Sequence, residues 1–268
     1  MILEFINWNV SPEIVKLGPI SLRWYGLLFA MGFFLGYLIF QKFFRKDGIT
    51  IELLDKLTIY MVLGTVIGAS LGHCLFYDAS YYLANPIKIF KVWEGGLASH
   101  GAAIGILLAL WLYTSKYKFG YAFILDRVVI TVALAGFFIR MGNLMNSEIY
   151  GMPTNLPWGF IFLKNGETVA KHPTQIYEGL CYLISFGILM GLYLKKPKWL
   201  HDGHIFGFFL ILIFSARFII EFIKQDQSAF EAGMMLNMGQ LLSIPFILAG
   251  CILVYFAGKR SFDLKVPA

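Results

Sequence analysis

A chain of 268 residues that is 58% hydrophobic, 17% aromatic and only 14% charged lies outside the composition of soluble domains, in which about a quarter of residues carry charge. Its positive mean hydropathy defines an integral membrane protein, with length for roughly six to eight spans of about 20 residues. The net charge of +6 is gathered in short basic segments between apolar runs, so it reads as topology and anionic-lipid contact. No nucleic-acid motif accompanies it.

Taken in order, Glu4 and Glu13 precede the first lysine, Lys16, so the N-terminus lacks the basic segment of a cleavable signal peptide, and the first apolar run is expected to stay. Seven apolar runs bounded by charge, Pro or Gly follow, at about 20–41, 54–76, 95–114, 121–142, 175–194, 204–223 and 237–257. The connections after the first, third and fifth runs, with the tail, hold thirteen basic residues against seven on the opposite side. The positive-inside rule then places the N-terminus outside and the C-terminus in the cytoplasm. The expected fold is all-α: a polytopic bundle of about seven membrane helices forming a single integral membrane domain, 1–268. The longest connection, about 143–174, is extracytoplasmic and carries Pro153, Pro157, Trp158, Gly159 and Gly166, the composition of a lid or small head. No internal repeat is visible, which argues against the paired broken helices of a secondary transporter.

Once each run has a direction, its polar residues acquire a depth, and nearly all fall in the outer half. Tyr25 opens the first run, His73 ends the second, His100 opens the third, and Arg140, Asn143 and Asn146 close the fourth. Gln175, Tyr177 and Glu178 open the fifth, Arg217 and Glu221 end the sixth, and Gln240 begins the seventh. The densest stretch is Ile139–Gly151, where an arginine, two asparagines and a glutamate close an apolar helix. Such polar groups at membrane depth are costly unless they face each other, water or a polar ligand, so they mark a candidate site.

Arg140 and Arg217 stay protonated and offer planar forks that match a phosphate. The structural alternative pairs Arg140 with Glu148, and Arg217 with Glu221 one turn on. His100 sits in a run of small residues from Gly95 to Gly105, where an imidazole could relay a proton near neutral pH; a lone histidine is more often structural, as His73 is expected to be. Asn143, Asn146 and Glu148 suit the orientation of a guanidinium, with helix capping as the plain alternative. Cys74, Cys181 and Cys251 lie singly inside apolar runs and read as small hydrophobes. No metal-ligand spacing, P-loop or nucleophile elbow is present, so neither metal nor cofactor is expected.

On these residues the chain resembles the bacterial prolipoprotein diacylglyceryl transferases over essentially its whole length. The signature of that family, an arginine then Gly-Asn and Asn-x-Glu-x-x-Gly, is matched by Arg140, Gly142, Asn143, Asn146, Glu148 and Gly151. Leu22–Gly26, Gly95-Gly96 with Ser99–Gly101, His172–Glu178, Arg217–Glu221 and Met238–Ser243 match further motifs in order. It departs at Ile139, Leu144 and Ala102, where the family usually has glycine, phenylalanine and glycine, and at Ile213, where a tyrosine is common.

The resemblance implies transfer of the diacylglyceryl group of phosphatidylglycerol to the lipobox cysteine of a preprolipoprotein, in the bacterial plasma membrane with the site facing the outer leaflet. Its partners would be that lipid, the signal peptide and its lipobox cysteine, and the bilayer; a monomer is consistent with the sequence. His100, Arg140 and Arg217 would carry the chemistry. Arg140, Tyr25, Asn143, Asn146, Glu148, Gly151, Gln175 and Glu221 would hold the lipid. A transport or lipid-binding protein for an anionic solute and a lipid hydrolase are the competing readings. Sparse polar groups in the inner halves argue against the first, and the lack of an evident nucleophile against the second.

Overall fold

The computed structural model describes residues 5–18, 20–77, 79–90, 98–225 and 233–259. They form two compact units, one within residues 1–38 and 126–262 and the other within 39–125. Among the described residues eight α-helices carry the fold: α1 (Trp24–Lys46), α2 (Ile51–Phe76), α3 (Ala79–Ala84), α4 (Ser99–Tyr117), α5 (Tyr121–Met145), α6 (Thr174–Lys195), α7 (His204–Ile220) and α8 (Met238–Ala257). Six of them, α1, α2, α5, α6, α7 and α8, are long and apolar enough to cross a membrane. The third expected run becomes α4, whose ends carry His100 and Lys116 and dilute its apolar middle.

The first expected run also starts late. Ile20–Arg23 is not helical but forms β3, paired antiparallel with β2 (Glu13–Leu17) around Gly18, whose φ of +60° makes the turn. Two more short strands, β1 (Ile6–Trp8) and β4 (Phe160–Phe162), pair in parallel and tie the N-terminal segment to the 143–174 connection. Beneath them Leu144, Phe160 and Phe162 form a small core with Trp8, Tyr150 and Ile176. The Tyr150 and Phe162 rings stack at 4.5 Å, and the Trp8 indole donates to the Leu144 carbonyl at 3.0 Å. The connection expected as a lid or head is thus a packed head with its own apolar centre.

In the first unit α7 and α8 form an antiparallel hairpin. Gly207 faces Val254 and the Gly250 carbonyl, and Phe214 stacks on Phe246 at 4.4 Å. Small residues where backbones approach, with an aromatic pair between, are a membrane-helix packing pattern. At the start of α7 the Asp126 carboxylate, buried, accepts from the backbone N–H groups of Gly203 and Phe206, each at 2.8 Å. A carboxylate on free N–H groups at a helix start satisfies donors that a bilayer cannot. Arg127, counted in a connection by the sequence reading, lies inside α5 and is buried, its guanidinium 5.4 Å from the Tyr193 ring.

The second unit is organised by a seam of small residues. Gly64, Gly68 and Gly72 of α2 face Gly101 and Gly105 of α4 backbone to backbone, with the Ala109 methyl also against Gly64, and a Cβ added at any of these glycines would meet the partner helix. Around it Phe44, Tyr113 and Phe119 are buried, and the Tyr113 hydroxyl donates to the Leu53 carbonyl at 3.0 Å. The outward faces of the helices are apolar and exposed, as at Ile59, Leu63 and Ile67 on α2 and Leu248, Ile252 and Phe256 on α8. Such faces match lipid, not water.

Candidate functional site

α5 breaks after Met145 into a turn that carries the signature. Ser147 and Ile149 adopt left-handed φ values of 54° and 61°, which for a β-branched residue costs of order 1–3 kcal/mol. Three side chains hold the turn in place. Asn165 donates to the Ser147 carbonyl at 2.6 Å, Gln175 to the Glu148 carbonyl at 2.7 Å, and Thr174 to the Ile149 carbonyl at 3.0 Å. Two of these clamps come from the first turn of α6.

The turn aims Glu148 back at α5. Its carboxylate accepts from Asn143 at 2.7 Å and from Asn146 at 3.3 Å, while the side-chain oxygen Oδ1 of Asn143 accepts from Arg140 Nη1 at 3.1 Å. Glu148 therefore acts on Arg140 through Asn143. The acid paired with Arg140 is instead Glu178 of α6, whose Oε2 meets Arg140 Nε. Gly179, beside that glutamate, faces the side chains of Phe137, Arg140 and Met141, and its lack of a Cβ gives them room. The Arg140 guanidinium also lies 5.9 Å from the Tyr182 ring, a cation–π distance.

The other oxygen of Glu178 accepts from Lys224 Nζ at 2.9 Å, and the same ammonium lies 3.4 Å from Glu221. Lys224 and Glu178 are each only 1% exposed. Charges at such depth persist only when paired. Arg217, on α7 one turn before Glu221, lies within electrostatic reach of Glu178 and Tyr182. Among the described residues no hydrogen-bond partner faces its Nε, nor Nε2 of buried Gln240. The structural alternative that paired Arg217 with Glu221 meets a carboxylate engaged by Lys224 and lying against Gly239 of α8.

The remaining expected residues divide. Tyr25 packs its ring on Gly142, where an added Cβ would come within 2.8 Å of the ring, and it lies in electrostatic reach of Glu148 and Arg140. Gln175 is 1% exposed and spent on the Glu148 carbonyl, so it supports the turn from behind. Gly151 donates its N–H to the His172 carbonyl at 2.8 Å and forms a bridge with Lys224, so close that a Cβ would strike the Ile223 carbonyl. His100 belongs to the second unit, exposed in the first turn of α4; the Gly95-Gly96 pair of its motif lies outside the described residues. His73 stacks on Tyr77 at 5.7 Å.

Sequence reasoning placed Glu178 in the polar layer without a role and gave Lys224 no place in that layer. Its one available signal was Lys224 three residues after Glu221 at the end of an apolar run. Pairing with α6 lay beyond any local pattern.

The protein is thus a multi-helix membrane protein that gathers two arginines, a lysine and carboxylates at one end of its helices. A profile of the family described as prolipoprotein diacylglyceryl transferase matches residues 12–256, and the chain belongs to that family. It is 48% identical over 254 residues to the phosphatidylglycerol–prolipoprotein diacylglyceryl transferase of Tolumonas auensis, covering 94% of this chain and 98% of that one. The proteins of the same name from Porphyromonas gingivalis and Chloroherpeton thalassium are 46% and 43% identical, over 98% and 96% of this chain and the same shares of theirs.

Proposed function

We infer that the protein is a membrane transferase that moves the diacylglyceryl group of phosphatidylglycerol onto the cysteine thiol of a prolipoprotein, the first step of lipoprotein maturation. The observation that carries this reading is the chain Arg140–Glu178–Lys224–Glu221, which draws the motif segments of α5, α6 and α7 into one place. The thiol gives up its proton, and the thiolate sulfur attacks the glycerol carbon that bears the phosphate ester. A C–S bond forms, the C–O bond breaks, and glycerol phosphate leaves with the electron pair. The thiolate is the competent nucleophile, and the charge it brings ends on the departing phosphate.

Arg140 and Arg217 receive that phosphate, as fixed donors aimed at developing charge stabilise a transition state most effectively. Asn143, Asn146 and Glu148 orient Arg140, and Tyr25 lines the head-group site against Gly142. Gln175 and Gly151 act on the lipid indirectly, by fixing the turn and the Lys224 strand. Glu221 acts through its charge on Lys224. The role of His100 as base rests on its motif, Ser99-His100-Gly101. His100→Asn should change the pH dependence of transfer, and a pH profile identical to wild type would remove the base role.

The chain is proposed to work as one integral membrane domain of seven spans, N-terminus outside, its site toward the outer leaflet of the plasma membrane and its peptide substrate a signal peptide with a lipobox. Pairing of β1 with β4 supports the count, because it puts the N-terminal segment and the α5–α6 connection on one side. An even number of spans between them fits that pairing, and counting α4 with α1, α2 and α5 supplies it. Purified protein, phosphatidylglycerol and a fluorescent lipobox peptide, scored for thioether, test the reaction. Transfer to the cysteine is expected. Lipid cleavage without thioether would select a hydrolase, and lipid binding without either product a carrier.

A further inference from the structure

Lys224 is tied to the site twice. Its backbone bridges Gly151 in the signature turn, flanked by hydrogen bonds from Met152 N–H to the Ile223 carbonyl at 2.9 Å and from Gln225 N–H to the Tyr150 carbonyl at 3.3 Å. Its side chain reaches Glu178 at 2.9 Å and Glu221 at 3.4 Å. The cations that act on Glu178 are Arg140, Arg217 and Lys224, and set against Glu178 and Glu221 they leave one positive charge, while Glu148 stands apart, exposed and held by Asn143 and Asn146. Without Lys224 the two carboxylates would cancel the two arginines. The head group of phosphatidylglycerol is a phosphodiester with one negative charge, and a site of low dielectric magnifies each unit of mismatch.

We propose that Lys224 is a positioning residue that sets the charge of the lipid-phosphate site: by neutralising Glu178 and Glu221 it leaves one cationic charge of the arginine pair uncommitted for the phosphodiester. This rests on the transferase reading given above. Lys224 needs no contact with the lipid to do this. Only its charge and its hold on the two carboxylates matter, so arginine can replace it and methionine cannot. Removal of one carboxylate together with the ammonium restores the balance.

The test measures KM for phosphatidylglycerol in mixed micelles, KM for the lipobox peptide, kcat, and the folded fraction by size exclusion and thermal unfolding. Lys224→Met should raise KM for the lipid roughly tenfold or more with KM for the peptide unchanged. Lys224→Arg should stay near wild type, and Lys224→Met with Glu221→Gln should recover the lipid KM. A lipid KM unmoved in Lys224→Met, with loss confined to kcat or to the folded fraction, would show a strut and overturn the proposal. So would a double variant as weak as the single. Should Lys224→Met fail to accumulate, the double variant decides alone, since it leaves Glu178 paired with Arg140: a lipid KM near wild type supports the charge count and a tenfold rise overturns it. Absence of thioether from the wild-type protein would instead sink the underlying transferase reading.

Discussion

Arg140 shows why an arginine and not any cation stands at this position. Its Nε serves Glu178, Nη1 serves Asn143 at 3.1 Å, and the flat guanidinium lies by the Tyr182 ring. A lysine keeps the charge but has no planar fork to hold two partners in fixed directions while aiming a further donor at a third. Arg140→Lys is expected to lower kcat by about 10²–10³, the range for loss of one preorganised donor, with normal membrane insertion and unfolding temperature; wild-type transfer would sink its assigned role. Gly142 is the companion case. A Cβ there would come within 2.8 Å of the Tyr25 ring, so Gly142→Ala must push the ring off the α5 face. Overpacking of this kind costs about 1–3 kcal/mol. Transfer should fall, and trimming the ring in Tyr25→Ala/Gly142→Ala should recover stability but not activity.

At the scale of elements, the signature turn and the α2–α4 seam rest on different physics. The turn is strained and over-determined: two left-handed non-glycine residues are held by side chains on three successive carbonyls. Gln175→Ala leaves the Glu148 carbonyl without its donor, at a cost of about 1–3 kcal/mol, and frees the carboxylate that steadies Asn143. Lower kcat with little change in KM is expected, measured alongside thermal unfolding. His172, at the foot of the same head, has its imidazole pKa held below the ordinary value by burial. The unfolded chain therefore takes up the proton first, so the stability it contributes is complete above about pH 6.5 and is lost as pH falls. The thermal midpoint should drop between pH 7 and pH 5.5, and less so in His172→Gln. The seam depends on close approach alone. At Gly68 a Cβ would strike the Gly101 carbonyl and lie 2.9 Å from Gly105 Cα, whereas at Gly187 of α6 nothing stands within 4 Å. Gly68→Ala should lower the unfolding temperature in detergent, while Gly187→Ala should raise it slightly, as an unhindered helical glycine costs about 0.5–1 kcal/mol against alanine.

At the scale of the whole molecule, hydrophobicity and charge carried the helices into the sequence, because membrane spans need long apolar runs and basic flanks. The candidate site was legible where its residues crowd one segment, as at Arg140–Gly151. It was opaque where a residue works through a distant partner. The ion pair of Lys224 with Glu178 joins segments 46 residues apart, and the retreat of Gln175 behind the turn depends on a carbonyl 27 residues away. The strand at Ile20–Arg23 hid inside an apolar run because its pairing with Glu13–Leu17 is tertiary information. The α4 helix is the sharpest case. Its 19 residues reach about 28 Å at 1.5 Å per residue, close to a hydrocarbon core, yet its polar ends weaken the apolar signal. Its antiparallel seam with α2, from Gly64 beside Gly105 to Gly72 beside Gly101, runs along the middle of a spanning helix. If α2 crosses the bilayer, α4 must cross it beside α2 in the opposite sense. Single cysteines at the exposed residues Asn85 and Lys118, in a chain with its native cysteines replaced, separate the alternatives. An impermeant maleimide applied to intact spheroplasts should label position 85 and spare 118 until the membrane is opened. Labelling of both from outside would leave α4 on the surface, reverse the parity that β1 and β4 demand, and break the seven-span count.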